Sequence, residues 1–244
     1  MIDLHIHTTF SDGENTPEEM VLSAIDKGIK TLGFSDHSYT SFDIDCCIKL
    51  ENIDKYKAEI RRLKEKYKTQ IEILCGIEQD YYSDTDVKDY DYVIGSVHYL
   101  KFGNEYIWVD GDPKFLISAA EKYFGGDIYA IIEDYYKKVG KVAEKTGATI
   151  IGHFDLITKF CEKQPFFDQN HPRYIKAWKD AVDKLLKYNI PFEINLGAIS
   201  RGYRTTPYPA EDIKEYILRN GGKFVLSSDS HEAKTLGFKF NKIS

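Results

Sequence analysis

The sequence has little cysteine, tryptophan or methionine, and it has no long run of apolar residues. The four cysteines, Cys46, Cys47, Cys75 and Cys161, form no CxxC pair and no regular spacing, which favours reduced thiols in a cytoplasmic protein. No apolar stretch approaches the roughly 20 residues of a membrane-spanning helix, so no membrane segment is predicted. We also expect no signal peptide, because no charged start is followed by an apolar core.

The sequence also lacks a block of charge of one sign. Its 33 basic and 39 acidic residues are interspersed and give a net charge of −6. This pattern argues against a basic surface that binds nucleic acid. No repeat, low-complexity segment or linker rich in proline, glycine and serine divides the 244 residues. We therefore expect one domain over residues 1–244, long enough to bury a sizeable core.

Seven short apolar or β-branched runs are predicted to be strands. Several are almost continuously apolar, a pattern typical of parallel strands that are covered on both faces. Helical patterns lie between most of them, and this alternation indicates a parallel α/β fold. The runs are 2–7, 30–36, 71–78, 92–98, 148–154, 190–197 and 223–229.

Local signals predict helices between these runs. Residues 16–19, Thr-Pro-Glu-Glu, supply an N-cap, a proline in the first turn and a capping-box glutamate, and Gly28 can end that helix. Apolar residues at three- and four-residue spacing predict a second helix over 53–67. The longest connection, 99–147, is predicted to hold two helices and an excursion over the mouth of a barrel.

Residue types that bind metals lie where the predicted strands end. Six of the seven histidines lie at or just past such an end, with carboxylates beside several of them. The carboxyl ends of parallel strands share one edge or rim, so these groups are expected to converge. The first two histidines are two residues apart on one strand, so they point to the same face. The residues are His5, His7, Asp36, His37, Glu78, His98, His153, Asp229 and His231.

Imidazoles and carboxylates together favour Zn, Fe or Mn, and one Zn takes about four ligands, so this set implies two or three ions. Each residue alone has an ordinary explanation. A histidine at a strand end is usually a hydrogen-bonded structural residue, and Asp12 and Asp36 suit turns. Glu78 and Asp229 suit a solvated surface. Recurrence at the same end of successive strands favours a metal cluster over these separate explanations.

The chain resembles the PHP family, the polymerase and histidinol phosphatase family. The resemblance implies a distorted (β/α)7 barrel, similar to a TIM barrel, with a trinuclear metal site at its C-terminal rim. The seven predicted strands agree with that architecture. The matching motifs cover nearly the whole chain and are DLHIHTTFSDG (3–13), FSDHS (34–38), GIEQD (76–80), GSVHYL (95–100), IGHFDL (151–156) and SSDSH (227–231).

The resemblance also implies a ligand set for each ion. The first ion would be held by His5, His7, Glu78 and Asp229. Glu78 would bridge to a second ion, which is also held by His98 and His153. The third would be held by Asp12, His37 and His231. The family often has histidine where this chain has Asp12, and an acid there suits a harder ion such as Mn or Fe.

Two features resemble the histidinol-phosphatase branch of the family. The length is that of a stand-alone enzyme, and the segment FEINLGAISRGYRTTPYP (192–209) carries an arginine followed by Tyr-Pro. By similarity, Arg201 would bind phosphate, and Lys159 occupies a position where that branch tends to carry a basic residue. Arg204 is a third candidate for substrate binding. Each of these cations could instead be solvated in a loop.

The resemblance therefore implies a metal-dependent phosphate monoester hydrolase of histidine biosynthesis, acting on L-histidinol phosphate. A hydroxide between the two ions that share Glu78 would attack phosphorus in line. Glu78, Asp229 and Arg201 would be the catalytic residues. The loop 38–47, with its acids and aromatic residues, is a candidate wall for the ammonium and imidazole of that substrate, or only a surface loop.

Three other functions stay open. Another enzyme of the family could act on nucleotides or oligonucleotide ends, which would need a basic, aromatic-lined groove. A metal-dependent amidohydrolase or deacetylase on a related barrel would not need Arg201 near the metals. A non-catalytic metal-binding module would have a broken ligand set, whereas every ligand position here holds a competent residue. We expect a small-molecule partner, no nucleic acid and no membrane.

Overall fold

Seven parallel strands form one barrel-like sheet in the computed structural model, which describes residues 1–242. The strands of the chain are β1 (Ile2–Asp3), β2 (Thr31–Phe34), β3 (Glu72–Asp80), β4 (Tyr92–Ser96), β5 (Tyr99–Phe102), β6 (Glu105–Trp108), β7 (Ile150–Ile151), β8 (Phe192–Asn195) and β9 (Phe224–Ser227). The order in the sheet is β1-β2-β3-β4-β7-β8-β9. A parallel bridge from Ile6 to Ser230 joins its two outer edges, so the barrel is nearly closed. The predicted seven-stranded α/β barrel is confirmed.

Helices cover the outside of this sheet. No helix in the described part of the chain is both long and apolar enough to cross a membrane. The helices are α1 (Pro17–Asp26), α2 (Ile53–Tyr67), α3 (Pro113–Phe124), α4 (Ile128–Val139), α5 (Val142–Thr146), α6 (Pro172–Leu185), α7 (Gly197–Ser200) and α8 (Glu211–Arg219).

The local signals for the first two helices are confirmed. Thr16 and Glu19 form the predicted capping box at the start of α1, in which the Thr16 N–H donates to Glu19 Oε2 at 2.7 Å. Along α2, Tyr56, Ile60 and Leu63 are fully buried against the sheet, as the apolar stripe predicts.

The connection 99–147 is more elaborate than predicted. It contains the antiparallel hairpin β5–β6 as well as three helices, α3, α4 and α5. The helices α4 and α5 are separated at Gly140, where α4 packs against α6. A β-carbon on Gly140 would lie only 3.2 Å from Ala181 Cα, so glycine permits this close approach.

The first strand is shorter than predicted, because its ladder ends at Asp3. The chain nevertheless runs on in extended form, since Ile6 bridges Ser230 and the His7 N–H donates to the Ser230 carbonyl at 2.8 Å. Ile6 is buried in the apolar core, and His5 and His7 point away from it. The expected same-face geometry therefore persists beyond the end of the strand.

The interior of the barrel is filled by Tyr92. Its ring occupies the space where β-carbons on Gly33 and Gly76 would lie, so both positions require glycine. The hydroxyl donates to the Leu4 carbonyl at 2.6 Å and lies 3.0 Å from the Phe34 carbonyl oxygen. This buried ring makes the interior of the barrel a packed core rather than a channel.

Candidate metal centre

All nine predicted ligands meet at the carboxyl ends of the barrel strands. Glu78 lies within β3 and is 1 % exposed, and His5 and His7 are fully buried. The others follow β1, β2, β4, β7 and β9, or the turn after β1. The nine residues are His5, His7, Asp12, His37, Glu78, His98, His153, Asp229 and His231.

The first expected group converges on Glu78 and Asp229. Glu78 Oε2 lies 3.2 Å from His5 Nε2 and 3.6 Å from His7 Nε2. Asp229 Oδ1 lies 3.7 Å and 3.4 Å from the same two nitrogens. Four donor atoms thus surround one small space, which is what a single ion requires.

The second expected group converges on the other oxygen of Glu78. Glu78 Oε1 lies 2.9 Å from His153 Nε2 and 3.4 Å from His98 Nε2. The two imidazole nitrogens are only 3.2 Å apart. Glu78 therefore faces two groups of histidines with its two oxygens, as the bridging role requires.

The third expected group surrounds Asp12. Its carboxylate lies 3.3 Å from His231 Nε2 and 3.7 Å from His37 Nε2. Two contacts depart from the implied division of ligands. His7 Nδ1 lies 3.7 Å from Asp12 Oδ1, and His37 Nδ1 lies 2.9 Å from Glu78 Oε2. The three groups therefore form one continuous cluster rather than three separate cages.

Orphaned polar atoms test whether this set fits metal ions. His5 Nε2, both ring nitrogens of His7 and Glu78 Oε2 are buried without a hydrogen-bond partner. Buried polar atoms are normally paired, because leaving one unpaired costs about 1–3 kcal/mol. Here these nitrogen and oxygen atoms face one another, and the distances between them suit atoms that coordinate a shared ion. The residues present therefore fit divalent metal ions.

The electrostatics of the cluster favour the metal-binding forms of His7 and Glu78. Burial lowers the pKa of His7 to about 3, with the imidazoles of His231 and His37 adding to the effect, so the His7 ring stays neutral. Burial would raise the pKa of Glu78, but the surrounding imidazoles, led by His5, hold it well below its usual range. A neutral imidazole and an ionised carboxylate are both competent ligands. At His5 and His37, by contrast, neighbouring acids outweigh burial and raise the pKa, which favours the protonated ring until a metal ion displaces the proton.

Two further acids hold predicted ligand residues in place through hydrogen bonds. Asp36 accepts hydrogen bonds from the Thr8 N–H and the Ser11 hydroxyl, both at 2.7 Å, and so holds the turn that brings Asp12 back over the rim. Asp80 accepts the backbone N–H of His98 at 3.0 Å and lies 3.3 Å from its Nδ1. Such partners orient a histidine toward a metal.

A cavity of about 240 Å³ opens beside the cluster and contains two of the predicted cations. The Arg201 guanidinium donates to the Asp229 carbonyl at 2.9 Å and to Asp229 Oδ2 at 3.0 Å. Lys159 Nζ lies 3.2 Å from Asp110 Oδ2. The cavity thus places the ligand cluster beside two cations, each of which is paired with an acid.

Arg204 lies outside the lining of this cavity. It is 6 % exposed, donates to the Thr158 hydroxyl at 2.8 Å and lies 3.5 Å from Asp155 Oδ2. Its guanidinium also lies 4.4 Å from the centre of the Tyr208 ring. These contacts brace the loop before α8, and nothing in them brings Arg204 to the substrate side.

A second cavity, of about 210 Å³, lies on the other side of the cluster and is lined partly by the loop 38–47. Asp43 of that loop lines the cavity, whereas Tyr39 and Phe42 do not, and Phe42 stacks on Tyr106 instead. Asp110 belongs to both cavities. The loop is therefore part of the site through Asp43 and the small residues Ser38, Thr40, Cys46 and Cys47.

A family model decides where the chain belongs. The model described as PHP domain matches residues 3–196. The chain belongs to the PHP domain family. Its ligand cluster, which includes Asp229 and His231 beyond the matched range, therefore lies at the rim of a PHP barrel.

Relatives in the family carry one recurring name. A protein of Deinococcus radiodurans named "Probable histidinol-phosphatase" is 30 % identical over 98 % of this chain and 90 % of its own length. The Bacillus subtilis protein named histidinol-phosphatase is 26 % identical over 98 % of this chain and 96 % of its own length.

Two solved structures share the fold over almost the whole PHP chain. A Listeria monocytogenes protein, provisionally named histidinol phosphatase, superposes with a TM-score of 0.83 over all of both chains, at 18 % identity. A Lactococcus lactis histidinol phosphate phosphatase, solved with zinc, L-histidinol and phosphate, gives a TM-score of 0.71 at 24 % identity. It covers 99 % of this chain and 90 % of its own.

Two buried acids of the PHP centre, Glu193 and Asp80, were not predicted, and Glu193 makes the closer contact with a ligand. It lies on β8, is 1 % exposed and contacts His5 Nδ1 at 2.5 Å. A signal for it exists, because a single glutamate inside an otherwise apolar parallel strand must have a polar partner in the core. Asp80 could have been found in the same way, from the adjacent acid in the motif GIEQD.

Proposed function

We propose that the chain is a metal-dependent phosphatase that hydrolyses a phosphate monoester, with L-histidinol phosphate as the substrate. This step would serve histidine biosynthesis in the cytoplasm, with residues 1–244 acting as one catalytic domain. The names of the relatives support the assignment, as does the ligand pair bound to the Lactococcus lactis protein.

One observation carries the proposal: the buried ligand cluster opens directly onto a cavity that contains Arg201 and Lys159. The centre would hold three divalent ions, of Zn, Fe or Mn, with the ligand groups described above. When bound, such ions supply Lewis-acid charge to a phosphoryl oxygen and lower the pKa of water from 15.7 toward about 7. A cavity that joins such ions to fixed cations suits a group that carries two negative charges.

Arg201 would bind and orient the phosphoryl group. A guanidinium has five N–H donors in a planar fork, and here Asp229 and His231 engage only part of them. The engaged donors fix the plane of the group, and the remaining donors can meet phosphoryl oxygens. Such fixed donors stabilise the charge that spreads over these oxygens as the ester bond breaks.

Lys159 would contribute charge more than geometry. Its ammonium lies against Asp110 and over the Tyr203 ring at 4.8 Å. An ammonium is a compact point charge without the directional fork of arginine. It would therefore attract the anionic substrate and hold it, while Arg201 sets its orientation.

The second cavity would receive the alcohol part of the substrate. Asp43 and Asp110 supply carboxylates there for an ammonium group, and Tyr99 and Trp108 supply aromatic surface for an imidazole. The Tyr99 hydroxyl donates to Asp43 Oδ2 at 2.5 Å, which holds this acid in place. Lys159 and Arg201 line only the first cavity and Asp43 lines only the second, which fits a substrate with a phosphate at one end and an amine at the other.

A steady-state assay of metal-loaded protein tests the proposal. The panel is L-histidinol phosphate, a mononucleotide, p-nitrophenyl phosphate and an N-acetylated amine. We expect kcat/KM for L-histidinol phosphate to exceed that for the others by at least about 10²-fold, because only this substrate uses both cavities. Equal, slow rates with all esters would favour an unselective phosphoesterase. Preference for the nucleotide or for the amide would favour the two alternatives from the sequence.

A further inference from the structure

A buried carboxylate outside the ligand set connects two of the ligand groups. Glu193 accepts hydrogen bonds at both of its oxygens. Oε1 lies 2.5 Å from His5 Nδ1 and accepts from the Ser227 hydroxyl. Oε2 accepts the backbone N–H of His153 at 2.8 Å and the side-chain amide of Asn195 at 2.9 Å. The carboxylate is therefore fully paired although it is buried.

The contact with His5 decides which ring nitrogen faces the cluster. A carboxylate only accepts, so Nδ1 carries a proton and Nε2 is the nitrogen that can offer a lone pair to an ion in the cluster. His5 Nε2 is buried without a partner and lies 3.2 Å from Glu78 Oε2. Glu193 thus holds His5 in the tautomer and ring orientation that metal binding requires.

The other oxygen of Glu193 reaches the second ligand group. Its bond to the His153 N–H fixes the backbone from which that imidazole extends. Asn195 continues the network, because its amide also donates to Asp229 Oδ2 at 3.2 Å. One carboxylate thereby touches His5 directly, His153 through its backbone and Asp229 through a single intermediate.

We propose that Glu193 is a positioning residue that couples the first and second metal positions. The inference rests on the proposed metal centre, in which these positions are built on His5 and His153. Glutamine at 193 could not serve both sides, because its NH₂ group would face either the His5 side or the His153 N–H. In the first case His5 must donate from Nε2 and lose its ligand lone pair. In the second case two donors face each other, and a backbone N–H has no alternative tautomer.

The test compares Glu193→Gln with Asp3→Asn. Asp3 is a control with similar surroundings: it is a fully buried carboxylate that accepts from Ser228 and from the Gly237 N–H, and it contacts a predicted ligand only at the His5 backbone and at no ligand side chain. Metal-free protein is titrated with Zn²⁺ against a chromophoric chelator, bound metal is counted by mass spectrometry, and circular dichroism checks the fold. His153→Ala identifies the step that belongs to the second position.

We expect Glu193→Gln to weaken Zn²⁺ binding by about 10–100-fold at both positions, and Asp3→Asn to leave both unchanged. A folded Glu193→Gln variant with wild-type affinity, or with loss at one position only, would overturn the inference. If wild-type protein binds no Zn²⁺ tightly, the proposed metal centre itself fails, and the two failures are thereby distinguished.

Asn195→Ala supplies a second variant that keeps Glu193 and both histidines. It removes the amide that donates to both Glu193 and Asp229. It leaves the contacts of Glu193 with His5 Nδ1 and with the His153 N–H in place. We therefore expect weaker Zn²⁺ binding at the first position, to which Asp229 belongs, and little change at the second. Equal loss at both positions would contradict a coupling that runs through the Glu193 carboxylate. This variant decides the question even if Glu193→Gln does not fold.

Discussion

The two cavities that flank the metal centre share a wall and differ in charge. One contains Lys159 and Arg201, and the other contains Asp43 with the rings of Tyr99 and Trp108. Asp110 lines both. The asymmetry implies an orientation for the substrate, with its anionic end toward the cations and its cationic end toward the acids.

Both cations of the first cavity form ion pairs. Lys159 is paired with Asp110, and Arg201 is paired with Asp229, which is itself a ligand candidate. Pairing keeps each cation in a fixed place at the cost of part of its field. The cationic cavity should therefore recognise a phosphoryl group through geometry and ions together, whereas the acidic cavity selects among alcohols.

The largest expected effect comes from a change at Glu78, which lines the cavity that contains Arg201 and Lys159. Glu78→Gln removes a charge from an acid that faces both the His5 and the His153 groups, so it should release two ions. We expect kcat to fall by about 10³-fold or more, since water then keeps its high pKa. Metal content and turnover are measured on the same sample, and full metal content with full activity would refute the bridging assignment.

Arg201→Ala should remove the directional donors of the cationic cavity alone. We expect a loss of about 10²–10³-fold in kcat/KM for every phosphate ester, as for other fixed donors that stabilise transition-state charge. Arg201→Lys should recover only part of this, because an ammonium lacks the planar fork. Complete recovery by lysine would mean that charge alone matters there.

Asp43→Asn should act on the other side and in a selective way. The change removes the charge that would face the ammonium of L-histidinol phosphate, while the metal groups and Arg201 stay in place. We expect about a 10-fold loss in kcat/KM for that substrate and no change for p-nitrophenyl phosphate, which has no ammonium. An equal loss for both substrates would remove the distinction between the two cavities.

Arg204→Met should have the smallest effect on turnover and a large effect on stability. It leaves Asp155 buried without its cation, and breaking such a pair costs about 3–5 kcal/mol. Denaturant unfolding measures the loss, and kcat is compared at a temperature where the variant is folded. A stable variant with impaired kcat would instead support the predicted role of Arg204 in substrate binding.

Much of the fold could be predicted because its signals are local. The capping residues around Thr16, the stripe along α2 and the apolar runs depend on neighbours within a few positions. The hairpin β5–β6 also had a local signal, because the two-residue turn Gly103-Asn104 separates two runs rich in aromatic residues, but the prediction for 99–147 did not include it. The break at Gly140 depends on α6, which is distant in sequence, and no local pattern reports it.

The candidate site likewise has features that the sequence predicts and features that depend on distant contacts. The sequence alone determined that metal-binding residue types end most of the strands. Parallel topology brings those ends together whatever the details of packing, so the convergence of these residues could be predicted. The family resemblance already implied that Glu78 faces two groups. Only the tertiary structure decided that Arg201 lines the cavity while Arg204 braces a loop, and that Glu193 joins His5 to His153. These distinctions depend on contacts of a few ångströms between residues far apart in the chain, and strand periodicity carries no information about them.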